Sequence, residues 1–173
     1  MTFFTRLKNQ LIARLITRYP QLAKRFVDAY KPWESEGEIP WVRPKAPLAQ
    51  CKVAMVTTSG VHHRGQPPFD MQDSDGDPSF REIDGESIGG DFLITHDYYD
   101  HADAEKDLNI IFPLERLREM VGEGLIGKLA KKHYSFMGHI DGRHIPALIT
   151  RSAPEIARRL KAEGVDVVLL TPA

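Results

Sequence analysis

Residues 152–171 read as one helix followed at once by one buried strand, and this pair narrows the choice of fold sharply. Ser152 with Glu155 has the pattern of a capping box, Pro154 falls in the first turn, and Gly164 supplies a stop. The strand at 165–171 (VDVVLLT) is almost uninterruptedly apolar, as expected of a strand covered on both faces. Residues 53–57 (VAMVT) form a second such run that ends at Ser59-Gly60. Residues 92–95 and 109–112 read as two further strands. Pro113 then opens a helix that turns Leu114, Leu117 and Met120 toward a core. Strands alternating with helices predict an α/β domain built on a mostly parallel, Rossmann-like sheet.

This α/β domain is assigned to 51–173. Ahead of it, Phe4, Leu7, Leu11 and Leu15, then Leu22, Phe26 and Tyr30, recur at helical spacing. Pro20 divides or kinks this N-terminal helical segment, 1–31. An amphipathic segment of this kind is expected to dock on its own domain or on a partner chain. Basic helices can also lie on membranes, but a membrane is not an expected partner here. Residues 32–50 hold Pro32, Pro40, Pro44 and Pro47 with Trp33 and Trp41, an extended connector.

Bulk composition removes several classes of function. No apolar run approaches the ~18–20 residues needed to span a bilayer. The first 30 residues lack a signal peptide's unbroken apolar stretch, so a cytoplasmic location is expected. Cys51 is the only cysteine among 173 residues, which excludes an internal disulfide framework and a Cys-based zinc site. Residues 1–31 carry seven Lys or Arg against one acid, whereas residues 70–107 carry thirteen Asp or Glu against Arg81 and Lys106. An acidic centre offers no grip for nucleic acid.

Four stretches hold chemistry-bearing side chains. Thr57-Thr58-Ser59-Gly60-Val61-His62-His63 follows the first strand, with Asp70 close behind. Its backbone could cradle an anion, and its histidines could act as acid or base or simply satisfy the loop. No dinucleotide or phosphate-loop fingerprint is present. Asp73, Asp75 and Asp77 imitate a calcium loop, but Pro78 stands where that loop needs glycine. His96, Asp97, Asp100, His101 and Asp103 again follow a strand, as pocket wall, acid–base site or metal site. A metal-dependent enzyme using this cluster remains an alternative, although the spacing matches no zinc motif. The fourth stretch, 133–139 (HYSFMGH), reads as core plus a turn.

Taken together and in order, VTTSGVHHRGQPPFD, GDPSFREI, THDYYDHADAEKDLNIIFPLERL, HYSFMGHI and APEIARRLKAEGVDVVLLTP resemble the selenoprotein B family of glycine, sarcosine, betaine and D-proline reductases. The resemblance is strongest to the short members grouped with the D-proline enzyme, and it covers about 120 of the 173 residues. It implies an oxidoreductase component. In such enzymes a selenocysteine, or a cysteine in its place, attacks the carbon bearing the amine. The substrate is held on a pyruvoyl group supplied by a partner subunit, the C–N bond is cleaved reductively, and external thiols restore the selenol. His62, His63, Asp70, His96, Asp100 and His101 are then the expected lining of the site. No cofactor is expected on this chain itself. The nucleophile is expected just beyond Ala173, encoded by a UGA codon ordinarily read as stop, which would leave the 173-residue chain inactive. A non-catalytic α/β module that binds a small molecule or joins a complex is the alternative reading.

Overall fold

The computed structural model describes residues 3–29 and 42–172. Tyr30, Pro32, Trp33, Pro40 and Trp41 lie outside the described residues. Helices α1 (Phe3–Arg18) and α2 (Pro20–Ala29) meet at Tyr19. Pro20 takes the first helical position, where its missing N–H costs nothing. The apolar positions of α1 do not face the domain. Phe4, Leu7, Leu11 and Leu15 stay 43% to 79% exposed, while Ala13 is buried. Contact with the domain is polar instead, through Arg6 and Gln10, both bound to Asp97.

The domain is organised around β1 (Lys52–Thr57). Two short strands follow, β2 (Val61–His63) and β3 (Phe80–Asp84), then β4 (Phe92–Ile94). After helix α3 (Leu114–Gly122) come β5 (Lys128–Leu129) and β6 (Lys132–Phe136). A turn of helix, α4 (Ile145–Ala147), leads through a wider turn at Leu148–Ser152 into α5 (Ala153–Ala162), and β7 (Val167–Thr171) follows. On one side β1 pairs in parallel with β7, from Val53↔Val167 to Thr57↔Thr171. On its other side it pairs in parallel with β5 at its start and β6 at its end. Among the described strands of this sheet only β3 runs antiparallel, against β6.

Alternation along β1 accounts for the layers. Val53 and Met55 join Ile83, Phe112, Leu114 and Leu117 in one core cluster. Ala54 joins Tyr134, Phe136, Ile156 and Leu160 in another. Helix α3 therefore covers one face of the mainly parallel sheet and α5 the other.

Three local expectations are corrected. Residues 109–112 are not a strand: Leu108–Ile110 is a single tight helical turn, because the Asp107 carboxylate accepts the Asn109 N–H and caps it. β4 exists but stands outside the main sheet, paired antiparallel with β2. Ser152 does not cap α5, since the chain is already helical before it; its hydroxyl donates to the Pro78 carbonyl. Gly164 does end α5, with a φ of 74° that favours glycine. Finally, β7 lies at the open margin of the sheet. Its apolar residues Val168, Leu169 and Leu170 therefore keep 37% to 71% exposure.

Candidate functional site at the carboxyl edge of the sheet

Parallel sheets bind ligands beyond the carboxyl ends of their strands. Here β1 runs out into Thr58-Ser59-Gly60, and β6 into Met137-Gly138-His139. The Thr58 N–H donates to the Thr171 carbonyl at 3.1 Å, and the Gly60 N–H to the Phe136 carbonyl at 2.9 Å, so the three strand ends are tied together. Gly138 has φ 94°, and a Cβ there would sit 2.2 Å from the Thr58 carbonyl oxygen. Only glycine lets these two loops close. The same hypothetical Cβ would lie 3.1 Å from His96 Nε2, which places this imidazole against the junction.

His96 is buried at 5% exposure. Its Nδ1 accepts the Tyr98 N–H at 3.0 Å, so Nε2 carries the proton. Burial, followed by the neighbouring His139, pushes its pKa down to about 4. Near neutral pH His96 is therefore a neutral hydrogen-bond donor. Aromatic rings enclose it: the Tyr99 ring centre is 4.6 Å away, and Tyr98 packs on His139 at 4.1 Å. The Tyr99 hydroxyl donates to the Ser59 carbonyl at 3.0 Å, and burial raises its pKa further. Asp97 is 1% exposed. Burial acts to raise its pKa, but hydrogen bonds from Arg6 at 2.5 Å and Gln10 at 2.7 Å outweigh that and hold it below the ordinary carboxylate value. The anion is thus neutralised where it stands.

Of the six residues expected to line the site, the structure sets His96 at this junction and His101 one ring away. His101 packs on Tyr99 at 5.7 Å and pairs through Nδ1 with Glu105 at 2.6 Å. His62 is buried on β2 with both nitrogens engaged, Nδ1 with the His63 carbonyl and Nε2 with the Thr95 hydroxyl. His63 points to the opposite face of β2. There it stacks on Phe92 at 5.0 Å and accepts the Asp84 N–H. Asp70 and Asp100 cap turns, accepting the N–H of Gln72 and Ala102 respectively. Sequence reasoning placed Asp97 in the His96 cluster without counting it among the six lining residues, and it did not select Arg6, Gln10, Tyr98, Tyr99 or His139 for the site.

Among the described residues no three His, Cys, Asp or Glu side chains gather into a group that could hold a metal ion. Cys51 is buried at the far end of β1, its sulfur 3.4 Å from the Ala46 and Pro47 carbonyls. Six strand residues put it roughly 20 Å from the carboxyl edge. A cavity of about 520 Å³ lies between β4 and α3 and includes none of the six expected residues. Chemistry rather than cavity size therefore selects the site.

These features define an α/β protein with a histidine–tyrosine cluster at the carboxyl edge of a mainly parallel sheet. The family model for the glycine/sarcosine/betaine reductase selenoprotein B matches residues 22–173. The D-proline reductase subunit gamma of Acetoanaerobium sticklandii is 40% identical over 131 residues, covering 76% of this chain and 52% of that protein. The glycine reductase complex component B subunit gamma of Carboxydothermus hydrogenoformans is 34% identical over 131 residues, 72% of this chain and 28% of its own. The betaine reductase complex component B subunit beta of Peptoclostridium acidaminophilum is 34% identical over 130 residues, 74% and 29%. The chain belongs to the glycine/sarcosine/betaine reductase selenoprotein B family. It spans about half the length of the D-proline relative and less than a third of the other two. No solved structure matches it.

Proposed function

We propose that the chain is a component of a cytoplasmic reductase complex of this family, acting on an amino acid or related amine with thiols as electron donors. In the proposed reaction the C–N bond breaks, the carbon takes a hydrogen, the amine leaves, and two thiols become a disulfide. A selenocysteine or cysteine supplies the nucleophile when bound at the site, and a pyruvoyl group on a partner subunit supplies the electron sink. The nucleophile comes from outside these 173 residues, because Cys51 is buried at the wrong end of β1; the 173 residues are inactive without it.

The observation that carries this reading is the state of His96. A neutral imidazole presents an N–H beside the junction of the three strand ends, and the carboxylate of the next residue, Asp97, is already paired. A donor without a competing free anion suits a selenolate or thiolate. In this role His96 donates a hydrogen bond to the anion or to the departing amine. Tyr98 and Tyr99 keep water from its ring, and Tyr99 fixes the Ser59 loop.

The test is reductive C–N cleavage by the native complex with dithiothreitol as donor, read as amine release from glycine, sarcosine and betaine and as opening of the D-proline ring to a linear amino acid. At least one should turn over, and His96→Gln should lower kcat by roughly 10²-fold. An intact complex that reduces none of the four sinks the proposal and favours a binding module. Wild-type kcat in His96→Gln removes His96 from the mechanism but leaves the reaction.

A further inference from the structure

Helix α1 turns its apolar side outward, and this arrangement has no role in the site. Leu7, Leu11 and Leu15 are 53%, 58% and 43% exposed, and Leu22 at the start of α2 is 52% exposed. At about 100° per residue the three α1 leucines fall within an arc of about 80°. Lys8 and Arg14 border that arc on its two sides, and Arg18 extends it along the axis. None of these three cations has an ion-pair partner among the described residues. The helix contains no acidic residue. Its other side is occupied: Arg6 and Gln10 hold Asp97, and Ala13 is buried. The domain thus grips the polar side and displays the apolar one.

We propose that α1 binds the surface of an anionic lipid bilayer, lying in the interface with Leu7, Leu11 and Leu15 inserted. Leucines on one side with cations at the margins match the interfacial helix, whose affinity combines apolar burial with attraction to anionic headgroups. Charge decides against a second copy of the same helix, because two helices with cations and no acids repel. The family match begins at residue 22, so α1 lies outside the region common to the reductase subunits. No described helix is long and apolar enough to cross a membrane, and an interfacial helix has no need to. The inference is independent of the redox reading.

The experiment is flotation of the 173-residue chain with vesicles of phosphatidylcholine, with and without about one-third phosphatidylglycerol. The chain should float only with the anionic vesicles, and raising the salt several-fold should weaken binding. Leu7→Glu with Leu11→Glu should abolish flotation. Lys8→Gln, Arg14→Gln and Arg18→Gln together should weaken it roughly 100-fold, at about 1 kcal/mol for each cation. All five positions are exposed, and an unchanged thermal melt confirms folding in each variant. Absence of flotation in the wild type overturns the proposal, as does flotation that survives the leucine substitutions. Concentration-dependent dimerisation through the same leucines, or a stoichiometric complex with an acidic protein in place of vesicle binding, overturns it in favour of that occupant.

Discussion

Burial keeps two imidazoles uncharged, His96 at the carboxyl edge and His133 inside the sheet, and pushes the pKa of each down to about 4. His133 is fully buried, with Nδ1 accepting the Met55 N–H at 2.9 Å, and its Nε2 has no hydrogen-bond partner among the described residues. Arg118 further disfavours its charge, while Asp84 slightly favours it. In the unfolded chain the ring returns to its ordinary value near 6.5. As the pH falls below 6.5 the unfolded chain takes up a proton that the folded chain refuses until about pH 4. The contribution to stability is therefore complete above pH 6.5 and is lost on the way down to pH 4, by roughly 3 kcal/mol for His133 if fully expressed. Urea melts from neutral pH to about pH 4.5 should show this decline. His133→Phe orphans the Met55 N–H and should cost about 1–3 kcal/mol at neutral pH, while making the pH slope shallower. An unchanged slope in that variant would assign the decline to other groups.

At the scale of elements, α1 is tied to the domain at Asp97, which takes Arg6 and Gln10 together. Arg6 keeps 41% side-chain exposure while Asp97 keeps 2%, so the pair is wet on one side and its strength is modest. Asp97→Asn should leave the sheet intact but loosen the helix, read as faster amide exchange in residues 3–18 with β1 unaffected. Equal exchange in wild type and variant would assign the docking to other contacts of the helix. The same elements show how far the sequence could be read. β1, β7, α3 and the end of α5 were legible because apolar runs and Pro or Gly punctuation declare them locally. β3 (FREID) was not, since only Ile83 of its five residues is buried. Residues 109–112 misled because a side chain two residues upstream captures the backbone. His96 was visible as a histidine following a strand. The Arg6–Asp97 pair spans 91 positions, and the Tyr98–His139 stack also joins distant segments; no local pattern announces either.

At the scale of the whole molecule, one strand organises everything. β1 receives α3 on one face and α5 on the other, and its carboxyl end sets the Thr58 loop against Gly138 and His96. The opposite end holds Cys51 out of reach. β7 is the exception to this enclosure: a run of valines and leucines that, among the described residues, is paired along one side only, against β1. Such an edge is a template for further strand pairing. Expressed by itself, the 173-residue protein should form oligomers that grow with concentration, and Leu170→Lys, at a position 71% exposed, should suppress them with little change in the melt. Monomeric wild type at high concentration would contradict this. The open strand thus has a meaning beyond the fold: a strand laid along it, from this chain or another, would satisfy its free backbone groups and remove the template.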